Sequence, residues 1–299
     1  MTKILTIGFI TYGEGAFKYL PEFTESLKAQ SYQDFDILVL DNSPMGDERN
    51  SNWLKQNLPQ AKIIRSNQNL GFAKGANRLI TRAQEANAKY FGLINPDTIL
   101  DELAVAKIVE VLDKHQEITV VSPKILRWDF VNKKKTNIID TYGLTVHFGF
   151  KFVDIGQGEI DNGQYDKEEI LGPSGASAWF RLSTLGNIKF DEHFFMYKED
   201  CDLAYQLFLA GKKAMLVSEA LIYHDRTVVK EFRSAKGRQG KIWSFYGQHL
   251  LIFKYWSKQN FWSQLSIIWR EIFMLAYALV FETYLLKEAS RAWKTSRQN

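Results

Sequence analysis

Across residues 1–125, short apolar runs alternate with helix-patterned stretches, and this alternation restricts the possible folds more than any other feature. Runs at 4–10, 37–40, 61–64, 90–94 and 119–121 read as buried strands, because they are short, rich in branched residues and bounded by turn residues. Between them, 21–29, 51–58, 71–86 and 101–115 carry helical spacing, with Pro21 suited to a first helical turn. Strands alternating with helices imply an α/β protein, its mostly parallel sheet covered on both faces. Ligands of such sheets sit beyond the carboxyl ends of the strands. The residues just after each strand are therefore the first candidates for a site: Thr11-Tyr12, Asp41-Asn42-Ser43 and Asn95-Pro96-Asp97.

Residues 127–170 change character, with a basic run at Lys133-Lys134-Lys135 and many Gly, Asp and Asn, so loops and a small irregular sheet are expected. Further on, a helix over 202–210 ends at Gly211, and a strand pair at 214–217 and 220–223 leads to His224. The net charge is +4, but residues 227–299 hold twelve Lys/Arg against four Asp/Glu, a local +8 that leaves −4 on the rest. A basic tail on an acidic body points to an acidic surface or ligand near the tail. The single cysteine, Cys201, excludes an intrachain disulfide. The opening Met-Thr-Lys-Ile-Leu-Thr-Ile-Gly lacks the layout of a signal peptide, so a cytoplasmic protein is expected. The longest uninterrupted apolar stretch, Ile272 to Phe281, is too short to cross a bilayer.

Several motifs carry two readings each. Asp41 is either a strand-to-turn residue or a carboxylate facing ligand. In the Asn95-Pro96-Asp97 turn, Pro96 fixes the backbone and aims Asp97 past the sheet edge, where a carboxylate could hold a cation on two phosphates. "NLGFAKGANRL" (69–79) lacks the Gly-Lys-Ser/Thr ending of a P-loop, and Gly13-Glu-Gly15 lacks the third glycine of a dinucleotide fingerprint. Lys74 is either solvated or a phosphate contact, and His224 either structural or, with Asp97, a site for Mg²⁺ or Mn²⁺. "FMYKEDCDL" packs Glu199, Asp200 and Asp202 into the start of a helix. One N-cap explains one acid, and Asp202 can be it, which leaves Glu199 and Asp200 to be explained. Acids on both sides oppose a thiolate, so Cys201 is a packing residue.

Asp41-Asn42, "GFAKGANRL", "NPD", "GPSGASAWFR", "FDEHFFMYKEDCDLAYQLFLAGKK" and Tyr223-His224 stand in an order that resembles glycosyltransferase family 2, in its rhamnosyltransferase-like bacterial branch, over roughly residues 3–226. The resemblance implies a GT-A fold over 1–226, with a nucleotide-sugar half (1–125) and an acceptor half (126–226). It implies a nucleoside-diphosphate sugar contacted by Thr11, Tyr12, Asp41, Asn42, Lys74, Asn95 and Asp97. Asn95 stands where the family's Asp-x-Asp has its first aspartate, leaving Asp97 and His224 as metal ligands. Asp200 matches the catalytic base of an inverting transferase, Glu199 assists it, and Gly175, Ser177 and Trp179 match the acceptor-side wall. The best expectation for the donor is dTDP-rhamnose. The alternatives are a UDP-hexose, UDP-galactofuranose, or a non-catalytic glycan-binding scaffold.

Residues 227–241 suggest a basic lid or linker over the diphosphate, and 242–299, with five of the eight tryptophans, resemble interfacial helices. The expected partners are a glycan or lipid-linked glycan acceptor, the inner face of the cell membrane as a peripheral surface, and a possible second copy. Nucleic acid is not expected, because the basic residues form no recognised binding module.

Overall fold

A computed structural model describes residues 4–66, 68–226 and 235–297. The first half follows the alternation: β1 (Leu5–Thr11), α1 (Gly13–Phe17), α2 (Leu20–Lys28), β2 (Phe35–Asp41), α3 (Arg49–Asn57), β3 (Lys62–Arg65), α4 (Gly71–Glu85), β4 (Tyr90–Ile94), β5 (Thr98–Leu100) and α5 (Ala104–Lys114). The second half is less regular: β6 (Ile118–Asp129), β7 (Lys134–Thr141), β8 (Leu144–His147), β9 (Lys151–Asp154), β10 (Ser177–Arg181), α6 (Leu182–Leu185), α7 (Glu199–Leu209) and β11 (Lys213–His224). Three longer helices close the chain, α8 (Ala235–Tyr255), α9 (Phe261–Phe281) and α10 (Leu286–Ser296).

One sheet runs in the order β3-β2-β1-β4-β10-β6-β11-β5, with β7 paired to β6. Strands β3, β2, β1 and β4 are parallel, and β10 enters antiparallel between β4 and β6. Both faces are covered, which is why the strands read as apolar runs. Phe9, Ile37 and Val39 point into one core with α2 and α5, while Leu38, Leu40 and Leu93 point into the other with α4. Gly92 has no room for a side chain, because a Cβ there would lie 2.5 Å from the Trp179 ring on β10.

Two expectations are corrected. The strand pair 214–217 and 220–223 is one strand, β11, with an irregular register between Val217 and Leu221 where it follows β6. The helix expected from Asp202 begins at Glu199. In the proposed lid, 227–234 lie outside the described residues, while Ala235 onward belongs to α8.

The C-terminal helices are joined to the body through a shared core. Tyr246, Leu250, Leu251, Ile252 and Tyr255 of α8 are buried with Phe150, Phe152, Phe194, Cys201 and Tyr205. Five such side chains contribute about 8–15 kcal/mol at roughly 1.5–3 kcal/mol each, comparable with the whole stability of a domain. Removing residues 242–299 should therefore yield aggregated protein in a solubility and thermal-melt assay. A soluble monomer melting like the full chain would contradict this packing.

Candidate active site

The carboxyl ends of β1 and β2 lie in register, Thr11 beside Asp41, and open on one edge of the sheet. Asp41 is fully buried beneath that edge. Its Oδ1 accepts from the Thr11 hydroxyl at 3.1 Å and the Ser43 N–H at 3.0 Å, and its Oδ2 accepts from Arg65 Nη1 at 2.8 Å and from the Ser51 hydroxyl. Burial pushes this carboxyl up, but the Ser43 and Ser51 hydrogen bonds and the Arg65 charge outweigh it and hold the carboxyl below its ordinary range. Asp41 thus ties the loop together. Thr11 is equally buried, whereas Tyr12 beside it is 48% exposed. Asn42 donates from Nδ2 to the Gly71 carbonyl at 3.2 Å, and its buried Oδ1 has no partner. Lys74 lies exposed on the first turns of α4, 4.0 Å from Glu192.

A second group forms where β4, β7, β9 and β11 end. The Asn95 N–H donates to the Ala176 carbonyl at 2.9 Å, and the Asp97 carbonyl accepts from the Asp225 N–H at 3.0 Å. These bonds bring Asp97 and His224 together, with Asp97 Oδ1 3.4 Å from His224 Nε2. His224 Nδ1 donates to Asp140 Oδ2 at 2.8 Å, which leaves Nε2 turned towards Asp97. Arg226 completes the string, reaching Asp140 Oδ1 at 3.0 Å and Asp154 Oδ2 at 2.9 Å. Burial opposes a charged His224, yet Asp97 and Asp140 overcome it and lift the imidazole to about 10. Burial also pushes Asp140 up, and His224 and Arg226 pull it below its ordinary range. Burial wins at Asp154, which stays raised in spite of Arg226.

Asp97 and His224 fit a divalent cation. Asp97 Oδ1 is buried without a hydrogen-bond partner and faces an imidazole nitrogen. An oxygen and a nitrogen ligand suit Mg²⁺ or Mn²⁺ completed by diphosphate oxygens and water. Among the described residues no three acids, histidines or cysteines converge as a self-sufficient metal site.

The third group is the start of α7. Tyr197 and Lys198 both adopt left-handed backbone, at φ 68° and 72°, an uncommon conformation for residues with side chains. The turn is held from two sides. The Phe72 N–H donates to the Phe195 carbonyl at 2.8 Å, and Trp243 of α8 packs on Phe195 with ring centroids 5.2 Å apart. Gly247 of α8 passes so close that a Cβ there would lie 3.0 Å from the Tyr197 carbonyl.

The three acids of this turn have separate environments, and Asp202 is not the cap: the N-cap position is Lys198, which makes no side-chain cap hydrogen bond. Asp200 Oδ1 accepts from the Cys201 N–H at 2.8 Å and Oδ2 from the Gly175 N–H at 3.0 Å, so Asp200 satisfies a first-turn donor while staying half-buried at the cleft. Asp202 caps nothing. It lies inside the helix, fully buried, accepting from Tyr255 at 2.8 Å and pairing with Lys254 at 2.9 Å. Glu199 is buried with Oε2 unpartnered, and burial, helped by Asp200, pushes its carboxyl up to about 8. Burial and the same Asp200 raise the Cys201 thiol, which is a packing group.

Trp179 and Ser177 do not form an acceptor wall here. Both are fully buried in β10, and Trp179 Nε1 donates to the Ser177 hydroxyl at 2.9 Å. Of that segment only Gly175 touches a candidate catalytic group. Arg65, Asp140 and Asp154 were missed by sequence reading, and Arg226 was placed only at the head of a basic segment over the diphosphate. The signal for Asp140 was a lone acid after Ile138-Ile139, a placement that calls for a buried cation partner.

Residues 6–186 match the profile of glycosyl transferase family 2. The chain belongs to that family. The fold is GT-A. Structures with the same fold include GalNAc-T7 with UDP, GalNAc and Mn²⁺ (12% identity, TM-score 0.59, covering 84% of this chain and 48% of that one). A mannosyltransferase, PcManGT from Pyrobaculum calidifontis, in complex with GDP-Man and Mn²⁺ gives 15% identity and a TM-score of 0.55, covering 100% and 76%. TarS from S. aureus gives 16% and 0.54, covering 84% of this chain and 39% of TarS, so the chain spans about two fifths of that protein. At these identities the likeness is one of fold. No curated protein matches the chain.

Glu199 gives a stability test. Its ordinary value is 4.5 and its folded value about 8, so between them the folded chain keeps a proton that the unfolded chain releases. Stability should therefore fall as pH rises through that window. Glu199→Gln, neutral in both states, should melt a few degrees higher relative to the parent at pH 8.5 than at pH 5. A pH-independent difference in melting temperature would contradict a buried neutral Glu199.

Proposed function

We propose that this glycosyltransferase moves a sugar from a nucleoside-diphosphate donor to an acceptor hydroxyl with inversion, and that Asp200 is the base. The observation that carries this reading is the division of labour at α7. Glu199 favours its neutral form and Asp202 is consumed by Lys254 and Tyr255, which leaves Asp200, half-buried, each of its oxygens engaged by a single backbone N–H. The acceptor proton passes to the Asp200 carboxylate as the hydroxyl oxygen bonds to the anomeric carbon. The bond from that carbon to the diphosphate oxygen breaks on the opposite face, and the nucleoside diphosphate leaves. A base placed this way contributes about 10²–10⁴-fold. Asp97 and His224 would hold a Mg²⁺ or Mn²⁺ ion, which supplies positive charge to the departing diphosphate. Gly175 keeps the base aimed, and Arg226 keeps Asp140 and Asp154 from repelling the site.

For the donor we propose dTDP-rhamnose, supported by the order of motifs along the chain. For the acceptor we propose a lipid-linked or growing surface polysaccharide at the cytoplasmic face of the membrane, supported by the aromatic and basic tail. The test is nucleotide release from a panel of dTDP-, UDP- and GDP-sugars, with Mn²⁺, Mg²⁺ or EDTA, in the presence of glycan acceptors. One donor should turn over only with metal. Asp200→Asn should lower turnover about 10²–10⁴-fold while keeping donor affinity, and Asp97→Ala should lose metal-dependent donor binding. Near-parental turnover by Asp200→Asn would remove it as the base.

A further inference from the structure

Helix α9 is amphipathic in the reverse sense for a protein surface. Every exposed residue along it is apolar, aromatic or alanine, and its polar residues face the body. Trp262, Ile268, Trp269, Phe273, Val280 and Phe281 are 46–76% exposed. On the inner side, Ser266 Oγ accepts from the Gly149 N–H at 3.2 Å, Arg270 donates to the Gly149 carbonyl at 3.2 Å, and Glu271 pairs with His249 at 2.9 Å. Phe148, 71% exposed, adds to the same surface beside Trp262 and Trp269. An apolar face this continuous is far beyond scattered exposed residues and marks an interaction surface.

We propose that α9 lies flat in the headgroup–acyl boundary of an anionic lipid bilayer, outward face down, and docks the enzyme there. This stands independently of the donor and of the transfer step. The extent of the face argues for lipid. At 100° per residue the unbroken run of exposed positions, from Leu275 round to Phe273, sweeps roughly 160° of the helix, while a packed partner helix covers a stripe about 100° wide. A fluid phase can cover such a convex arc. Charge agrees: Lys258 precedes the helix, and Lys287, Lys294 and Arg297 follow it, all exposed and without an acidic partner among the described residues. Basic residues flanking an apolar, tryptophan-bearing face match anionic headgroups.

This also revises the expectation, drawn from the interval 272–281, that no segment is long enough to cross. The 21-residue helix is about 31 Å long, near the thickness of a bilayer core. Its attachment rules for the flat arrangement. Ser266, Arg270, Glu271 and Ala278 are fixed to the body along its length, and a crossing helix would drag Gly149, His249 and their buried polar partners into hydrocarbon.

The test is flotation of the full chain with phosphatidylcholine vesicles, with and without phosphatidylglycerol. The parent should float with the anionic vesicles and less with the neutral ones, and Trp262→Glu/Phe273→Glu should reduce bound protein at least about tenfold. That variant should keep the parental melting temperature, and Val131→Glu, exposed elsewhere, should float like the parent. Brominated lipids should quench α9 tryptophan fluorescence most with bromine near the headgroup end of the chain. A parent that stays at the bottom, or a double variant that floats equally, would overturn the proposal. Strongest quenching at the bilayer centre would overturn the flat arrangement. A lipid-free dimer, by light scattering, that the double variant dissociates would assign the face to a second copy instead.

Discussion

The buried junction of Asp202 with Lys254 and Tyr255 is the contact on which the second half of the molecule depends. A carboxylate with no exposed surface is costly unless it is paired and hydrogen-bonded. Burial pushes Asp202 up, while Lys254 and the Tyr255 hydroxyl draw it back. Lys254 also reaches Asp191 at 2.6 Å, ahead of the strained turn. The end of α8 is thereby fixed to the helix that carries Asp200, the proposed base. The other contacts of α8, Trp243 on Phe195 and Gly247 against Tyr197, fall into place from that anchor. The left-handed pair Tyr197-Lys198 persists because α4 and α8 confine it from opposite sides. The C-terminal helices are thus packed into the second half of the chain, with α9 on its outer surface.

Charge organises the cleft as a string of alternating sign: Asp97, His224, Asp140, Arg226 and Asp154. Each acid of the string has a basic neighbour, which allows so many carboxylates to gather there. The Tyr197 phenol is raised by burial first, and then by the charges of Glu199 and Asp97. A cation at Asp97 and His224 would release the imidazole proton held there, so metal and proton are alternative occupants of one place.

Much of this was legible in the sequence, for identifiable reasons. Strands β1, β2 and β4 announced themselves because both their faces are buried, and Asp41 and Asp97 because they end such strands. Proximity across the fold was not legible. Asp140 and Asp154 lie in a stretch expected to be loop-rich, where acids read as turn residues, and only Arg226 and His224, far along the chain, give their places on β7 and β9 meaning. The cap was misassigned because α7 begins three residues earlier than its apolar spacing suggests, so Asp202 fell inside. Trp179 looked like a binding aromatic, but Gly92 opposite makes room for it in the core. The length of α9 was underestimated because Arg270 and Glu271 interrupt its apolar run, although both face the body.

The most direct test of the claim that the tail helix is built into the second half of the chain is a double-mutant cycle between Asp202 and Lys254, read by urea unfolding. Lys254→Met alone leaves Asp202 buried without its cation and should cost about 3–5 kcal/mol. Asp202→Asn/Lys254→Met should cost less than the sum of the single variants by about 1–3 kcal/mol. Additive costs, with no coupling beyond about 0.5 kcal/mol, would show the two groups to be independent and would contradict this account.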